Sequence, residues 1–175
     1  EDYKAHGCDW SRPGLRTLAV YRFTHWTHTA VHGAITGRIM RRFGYFLFRV
    51  MRNRYGIEIP PTTRIGRRVV IEHQNGIVIH GGASIGDDCV IRQNVTIGNR
   101  HLDRPLDAPQ IGARVNIGAG AVLIGAIKIG ADVNIGANTV VVTDVPDGAT
   151  VVGAAAIIKI ARPQVVEPRV LDIPA

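Results

Sequence analysis

Cysteine, acidic residues and long apolar runs are all scarce in this chain. Its two cysteines give no disulfide framework, which separates it from the small disulfide-rich secreted scaffolds. Its apolar stretches are interrupted by Arg, His or Gly, so we expect no segment that crosses a bilayer. No signal peptide is evident near the first residue. These absences predict one globular domain of a cytoplasmic protein.

Basic residues exceed acidic residues, 21 to 14, and the formal net charge is +7. Arginine is concentrated in residues 12–68. No recognition-helix motif accompanies this charge, so we expect no nucleic-acid partner. An anionic cofactor or an acidic membrane surface fits better, although no motif supports peripheral membrane association. Solvent-exposed helix faces are the simplest explanation for most of the charge.

What the chain does contain is an apolar residue that returns every six positions. Glycine often follows this residue, and a small or branched residue lies two places before it. The repeated positions are Ile85, Ile91, Ile97, Ile111, Ile117, Leu123, Ile129, Ile135 and Val141. A period of six matches neither an amphipathic helix nor a simple alternating strand, but it is typical of hexapeptide repeats. The pattern predicts a mainly β chain, a left-handed parallel β-helix with coils of about 18 residues.

The first interruption of this repeat follows a histidine. An earlier run with the same period ends at Ile77 and joins Ile85 after eight residues instead of six. A two-residue slip is therefore predicted at about 77–79, just after His73. A break in a regular solenoid indicates a place where a side chain serves something other than packing.

The second interruption predicts a loop. Ile97 and Ile111 are fourteen residues apart, which corresponds to one hexapeptide and an eight-residue insertion within 99–110. Because the insertion is polar and contains two prolines, we expect it to leave the β-helix as a surface loop. Function is commonly located on such loops.

The N-terminal part follows a helical period instead. Residues 14–31 and 34–54 are predicted to form two helices, each with an apolar face. These faces comprise Leu15, Leu18, Ala19, Phe23 and Trp26 in the first helix and Ile39, Phe43, Phe46, Leu47 and Val50 in the second. We expect both faces to cap the first coil, because the end of a solenoid must be covered. The predicted organisation is a helical segment at 1–56, a β-helix at 57–162 and a C-terminal tail at 163–175.

Several segments resemble the serine O-acetyltransferases, members of the hexapeptide-repeat acyltransferase family. The segment IEHQNGIV at 71–78 resembles their catalytic-histidine segment, in which an acidic residue precedes the histidine. The other similar segments are 19–22, 25–26, 95–98, 117–121 and the insertion loop. The family's long N-terminal helical domain is shorter here. The resemblance implies an acetyl-CoA-dependent O-acetyltransferase that works as a homotrimer.

The chemistry of acetyl transfer gives roles to two residues. Transfer from a thioester to a hydroxyl group needs a base for the proton and a donor for the developing oxyanion. Histidine suits the first role near neutral pH, and His73 lies where a side chain can point outward. Glu58, fifteen residues earlier, is the candidate to orient the imidazole and stabilise its cationic form. The family has aspartate at that position, which makes glutamate a conservative difference. The alternative is a corner histidine without function.

By resemblance, acetyl-CoA lies along the coils in a groove between two subunits of the trimer. The positions that match its contacts are Gly98, Asn99, Ala119 and Ala137. An amide near Asn99 is the candidate oxyanion donor. Lys159 and Arg162 are candidates to meet the cofactor's phosphates.

The acceptor-binding positions depart from those of the serine enzymes. Their Arg-His pair, which helps to hold the carboxylate of the amino acid, aligns with Asp107 and Ala108. Neither residue binds a carboxylate in that way, and Asp107 repels it. Arg100 and His101 are candidate substitutes, and Glu72 matches an aspartate that helps to hold the substrate amine. The acceptor is therefore either serine or a sugar hydroxyl, as in short relatives that act on surface polysaccharides.

Two other classes of protein remain open on the sequence alone. One is a non-catalytic β-helical scaffold that binds a partner. The other is a carbonic-anhydrase-like β-helix, which needs three histidines around zinc. His73, His80 and His101 are available, but their spacing does not reproduce such a ligand set, so we predict no metal.

Overall fold

The computed structural model describes residues 1–31, 33, 35–101 and 103–153, and within them the chain forms three helices and fourteen short strands. The helices are α1 (Asp2–Ala5), α2 (Pro13–Thr29) and α3 (Thr36–Tyr55). The strands are β1 (Ile57–Glu58), β2 (Arg64–Ile65), β3 (Val70–Ile71), β4 (Ile77–Ile79), β5 (Ser84–Ile85), β6 (Val90–Ile91), β7 (Thr96–Gly98), β8 (Gln110–Ile111), β9 (Asn116–Ile117), β10 (Val122–Ile124), β11 (Lys128–Ile129), β12 (Asn134–Ile135), β13 (Val140–Val141) and β14 (Thr150–Val151). Helices α2 and α3 begin and end within two residues of the predicted limits.

The strands form three parallel sheets that the chain visits in rotation. Sheet A has the order β1-β4-β7-β10-β13, sheet B the order β2-β5-β8-β11, and sheet C the order β3-β6-β9-β12-β14. In the last coil, sheet B continues as a single bridge between Ile129 and Val145. The prediction of a mainly β chain with N-terminal helices is confirmed.

The interior is a stack of the repeated apolar residues. On sheet C, Ile71, Ile91, Ile117 and Ile135 follow one another in register, and each is at most 3% exposed. Cys89 lies in the same interior, and burial raises the pKa of its thiol, as expected for a core residue. Replacing one of these isoleucines with alanine is expected to cost about 2–5 kcal/mol. The stack therefore holds neighbouring coils, and the corners between them, in fixed positions.

The register between strands measures the length of each coil. Three pairs of Cα partners give the three lengths: 18 residues between Val122 and Val140, 20 between Val70 and Val90, and 26 between Ser84 and Gln110. The longest offset contains the eight-residue insertion, as predicted. The intermediate offset contains the two-residue slip.

The two extra residues lie in the corner between β3 and β4. Five residues separate the inward-facing Ile71 and Ile77, whereas three separate Ile91 and Val95 in the next coil. The slip was predicted at about 77–79, within β4, and the register corrects its position to the corner that precedes this strand. Ile77 and Ile79 both face the interior, at 0% and 1% exposure, because alternate residues of a strand share a face.

Helix α2 covers the first coil through Leu15 and Leu18 of its predicted inward face, whereas Trp26 of that face is 47% exposed. Leu15 and Leu18 are buried, and the Tyr21 hydroxyl donates to the carbonyl of Thr63 at 2.6 Å. A guanidinium nitrogen of Arg22 donates to a carbonyl of β2 at 2.6 Å. These contacts satisfy backbone groups that the end of a solenoid otherwise leaves without partners.

Helix α3 packs on α2, which corrects the prediction for its apolar face. Its buried residues are Gly37, Gly44 and Tyr55. A Cβ on Gly44 would approach Cγ2 of Thr24 to 3.0 Å, so a glycine lets the helices come close. The predicted inward residues that are exposed in the structure are Ile39, Phe43, Phe46 and Val50. Among the described residues, no helix is both long and apolar enough to span a bilayer.

The corners between sheets B and C carry alternating charges, and we call them the paired column. Arg68 donates to Asp88 of the next coil at 2.6 and 2.7 Å, and Arg114 donates to Asp132 at the same distances. These hydrogen bonds lower the pKa of both carboxyl groups. All four residues have φ between 55° and 59°. The ion pairs therefore join successive coils at this corner.

Candidate active site

The enlarged corner 72–76 presents His73 to solvent. His73, Asn75 and Gly76 have φ values of 66°, 79° and 67°, in the left-handed region. The Asn75 N–H donates to the carbonyl of Tyr55 at 2.8 Å, and its carbonyl accepts an N–H of the next coil at 3.0 Å. The imidazole is exposed and has no hydrogen bond or ion pair with the part of the chain that the structure describes. The backbone is therefore fixed while the ring is free.

The corners between sheets C and A continue below His73, and we call their tips the open column. A Cβ on Gly76 would lie 2.2 Å from Oδ1 of Asn94, so these tips are in close contact. The tips comprise His73, Gln93, Asn94, Ala119, Gly120, Ala137 and Asn138, joined by Gly120 N–H to Gln93 C=O at 2.9 Å and Asn138 N–H to Ala119 C=O at 2.8 Å. Two predicted cofactor contacts, Ala119 and Ala137, thus occupy equivalent places in successive coils. Within the described residues, no ion pair joins these tips.

A cleft of about 320 Å³ lies beside His73. It is lined by Arg12, Pro13, Gly14, Ile71, Glu72 and His73. The start of α2 forms one wall and is packed tightly, since a Cβ on Gly14 would lie 2.2 Å from the carbonyl oxygen of Ile71. A cleft of this size accommodates a small molecule. The sequence did not predict Arg12 as a site residue, because only the packing of α2 on β3 brings it near His73.

Glu72 takes part in a chain of polar contacts along sheet C. Its Oε2 lies 2.9 Å from Nε of Arg92, and the two side chains are 38% and 32% exposed. The guanidinium of Arg92 also donates to Oδ1 of Asn116 at 2.5 Å. Because the Glu72 carboxylate already faces a guanidinium, it is less available to a substrate ammonium group.

Glu58 lies on β1, in register with Val78 of β4. Its side chain is half-buried, and no hydrogen bond or ion pair joins it to His73 among the contacts of the described residues. Glu58 therefore lies on β1, which pairs with β4, and β4 directly follows the corner that carries His73. A bond between the two side chains stays a prediction.

The loop 99–110 begins where β7 ends. The carbonyl of Gly98 accepts a hydrogen bond from the N–H of Gly125 in the next coil at 3.0 Å. The side-chain amide of Asn99 donates to the carbonyl of His101 at 2.9 Å. This contact uses one of the two N–H groups of the Asn99 side-chain amide, and the oxyanion role of an amide near Asn99 stays a prediction.

The other acceptor candidates of this loop are not gathered at the cleft. Arg100 and His101 are exposed, and Asp107 is half-buried with its N–H bonded to the carbonyl of Arg104 at 3.1 Å. None of them lines the cleft beside His73. Ala108 is only 6% exposed and serves the core.

The remaining sequence predictions concern a metal and the cofactor's phosphates. No group of three His, Cys, Asp or Glu side chains suited to a metal ion occurs among the residues described. His80, weighed above as a zinc ligand, accepts a hydrogen bond from the Gly82 N–H at 3.1 Å through Nδ1. Lys159 and Arg162 lie outside the described residues.

Three parallel sheets of hexapeptides, with an exposed histidine on an enlarged corner, define a hexapeptide-repeat acyltransferase. The sequence matches no protein-family model. It is 43% identical over 148 residues to the serine acetyltransferase of Helicobacter pylori, across 82% of this chain and 80% of that protein. It is 37% identical over 164 residues to an Escherichia coli protein named colanic acid biosynthesis acetyltransferase WcaB, across 93% and 99%.

The structure is also similar to the serine acetyltransferase of Neisseria gonorrhoeae, which was solved with serine. The TM-score is 0.69 at 35% identity, and the match covers 83% of this chain but 56% of that one. The chain therefore spans little more than half of this solved relative. It belongs to the serine acetyltransferase-like family of hexapeptide-repeat O-acetyltransferases.

Proposed function

We propose that this chain transfers an acetyl group from acetyl-CoA to a hydroxyl group, with His73 as the general base. The observation that carries the proposal is the free, exposed imidazole of His73 beside a small-molecule cleft. His73 takes the proton of the acceptor hydroxyl as its oxygen attacks the thioester carbonyl. The carbon–sulfur bond then breaks, and His73 gives the proton to the departing thiolate of CoA. Because the thioester is already activated, this mechanism requires no covalent enzyme intermediate.

Other residues of the proposed site hold the reactants. Glu58 orients the imidazole and stabilises its cation, and a backbone N–H near Asn99 donates to the oxyanion. In this proposal acetyl-CoA lies along the open column. Gly98 also contacts the cofactor, and Lys159 binds its phosphates. The aligned small residues of that column support this path. A cytoplasmic location fits a donor made in the cytoplasm and two cysteines that are both free.

We further infer that the sheets wind as a left-handed β-helix and that three subunits associate, with active sites between them. The outer face of sheet A supports the association. Val78 and Val140 on that face are 45% and 62% exposed, whereas sheet B presents Arg64 and Lys128. A mostly apolar outer face, on which Glu58 and Thr96 are the polar residues, is suited to burial by a second subunit. Light scattering tests this inference: Val140→Asp is expected to lower the mass of the assembly, and an unchanged mass contradicts it.

Serine is the first candidate for the acceptor. A solved relative of this family contains serine, and the cleft beside His73 is of a size for an amino acid. In this proposal Glu72 binds the amine, while Arg100 and His101 of a neighbouring subunit bind the carboxylate. The exposed side chains of those two loop residues support that assignment.

A sugar hydroxyl is the second candidate, and two observations favour it. Arg92 engages the Glu72 carboxylate at 2.9 Å, and the position expected to bind a carboxylate holds the acidic Asp107. The cleft also includes Arg12, whose guanidinium lies 3.6 Å from the Asp9 carboxylate and is suited to an anionic group of either acceptor. The relative named for colanic acid biosynthesis matches over almost its whole length.

A thiol-release assay with acetyl-CoA decides between the candidates. Purified protein is incubated with serine and, separately, with a panel of neutral and anionic sugars. Release of CoA thiol that depends on one acceptor class and on His73 identifies the substrate. If no acceptor supports release, the non-catalytic scaffold replaces the enzyme as the interpretation.

A further inference from the structure

Helix α3 and its N-cap residue Ile35 expose a continuous line of large apolar side chains. Ile35, Ile39, Phe43, Phe46 and Val50 recur at intervals of three or four residues, and we call them the outer stripe. Their exposed fractions lie between 36% and 73%. At 3.6 residues per turn they fall within an arc of about 80° on the helix surface. Such spacing normally marks the buried face of a helix, yet here it faces solvent.

The core of the protein does not use this face. The residues by which α3 is buried are Gly37, Gly44 and Tyr55, on the opposite side of the helix. Aromatic residues of α2 enlarge the stripe: Phe23 packs edge-on against Phe43, with ring centroids 6.2 Å apart, and also contacts Trp26. Trp26 is itself 47% exposed. The apolar surface therefore spans both helices.

The charge around the outer stripe has one sign. Residues 13–55 contain eight arginines and no aspartate or glutamate. Arg38, Arg42 and Arg49 are exposed and follow one flank of the stripe along α3. The ion pairs of the described residues include no arginine of α3, so their charge is not neutralised within the described chain.

We propose that the outer stripe docks the protein on the surface of an anionic lipid bilayer. An apolar stripe flanked by arginines is the composition of helices that lie in the membrane interface. Apolar side chains enter the acyl boundary, and each arginine near the surface adds attraction to anionic headgroups. A second copy of the same surface is disfavoured, because the arginines of α3 have no acidic partner within the described chain and would repel their counterparts. The helix lies along the bilayer and does not span it.

Vesicle co-sedimentation tests this docking. The full chain is mixed with vesicles of phosphatidylcholine alone or of phosphatidylcholine with phosphatidylglycerol. We expect sedimentation with the anionic vesicles, little with the neutral ones, and release at high salt. Arg42→Glu with Arg49→Glu is expected to weaken binding on the order of tenfold or more, and Phe43→Ser with Phe46→Ser similarly. Matched controls are Arg67→Glu, which reverses an exposed charge elsewhere, and Leu106→Ser, which removes an exposed apolar side chain elsewhere.

A second measurement, of tryptophan fluorescence, leaves the residues of the outer stripe unsubstituted. Trp10→Phe leaves Trp26 as the fluorophore, and its emission is expected to shift to shorter wavelength when anionic vesicles are added. The proposal is overturned if Trp26 emission does not shift and the wild-type protein does not sediment with anionic vesicles. Equal binding of neutral and anionic vesicles also overturns it, and so does a lower assembly mass in the Phe43→Ser, Phe46→Ser variant, which assigns the stripe to a second copy instead.

Discussion

The paired column and the open column differ in what their side chains do, although their backbones are alike. Asn94 and Asn138 in the open column have φ values of 60° and 55°, close to those of the paired column. In the paired column, Arg68 and Arg114 each bind a carboxylate of the next coil. In the open column the coils are joined through backbone N–H and C=O groups, and His73 has no described partner.

The difference indicates where this fold can place chemistry. The left-handed turn is needed at both corners, so it gives no information about function. A side chain that is tied to the next coil contributes to stability, whereas one that is free can meet a ligand. The two extra residues at 72–76 belong to the open column, and they enlarge the corner that carries the proposed base.

The largest expected effect comes from removing His73. His73→Ala is expected to lower kcat by about 10²–10⁴-fold, because general base catalysis contributes that range. Circular dichroism and the assembly mass are expected to stay unchanged, since the side chain is exposed. Gln74→Ala, at the adjacent exposed position, is the matched control and should retain activity. Equal activity of the two variants would refute the assignment of the base.

Replacing Gly76, in the corner 72–76, tests whether the shape of this corner affects stability and the position of His73. Gly76→Ala places a Cβ 2.2 Å from Oδ1 of Asn94, whereas Gly148→Ala, at a similar φ of 69°, meets nothing within 4 Å. Both variants pay the left-handed backbone penalty of about 1–2 kcal/mol. Gly76→Ala should lose a further 1–3 kcal/mol or so of unfolding free energy through overpacking.

Activity separates the two glycine variants more sharply than stability does. A shift of the corner by about 1 Å is expected to lower turnover on the order of 10²-fold in Gly76→Ala. Gly148→Ala should retain wild-type turnover. Denaturant unfolding and the thiol-release assay measure the two effects. If both variants behave alike, contact between Gly76 and Asn94 has no part in positioning His73.

The ion pair between Arg92 and Glu72, beside the open column, gives a prediction with a smaller expected effect. Arg92→Gln frees the Glu72 carboxylate, so KM for serine should fall by up to about fivefold if Glu72 binds the substrate amine. Arg64→Gln, on sheet B, is the control for loss of an arginine. An unchanged KM for serine, together with activity on an anionic sugar that Arg12→Gln weakens, would favour the sugar acceptor.

The smallest expected effect lies in the paired column. Arg114 lowers the pKa of Asp132 below the ordinary 3.8, chiefly by hydrogen bonding, so the pair adds stability above that pH and loses it as the pH falls. Asp132→Asn should therefore lower the unfolding midpoint slightly at pH 7, and the difference from wild type should vanish in acid. Asp103→Asn is the control. A difference that persists at low pH would show that the pair does not act through its charge.

Much of the fold follows from the sequence, because the six-residue period reports directly which side chains face inward. The inward orientation of Ile91 and Ile97 could be predicted without tertiary information, and so could the eight-residue length of the insertion. The position of the slip was wrong because Ile77 and Ile79 are both apolar, and the period alone does not say which one belongs to the repeat. Register with the next coil decides it.

The errors in the site have a different physical origin. Arg12 reaches the cleft only because α2 folds over β3, a contact between segments about sixty residues apart in the sequence. The apolar face of α3 predicts burial, but the glycine and threonine contacts between α2 and α3 fix the opposite side inward. Periodicity identifies a face without identifying what covers it.

The 26-residue offset has a consequence for how such a protein can change. The extra eight residues fall in a single corner, and the strands before and after it keep the same partners in all three sheets. The loop can therefore be replaced while the pairing of the β-strands stays the same. Its length and composition can vary without moving the His73 corner or the column below it, so under the proposed function selection for a new acceptor can proceed while the proposed path of the acetyl donor is kept.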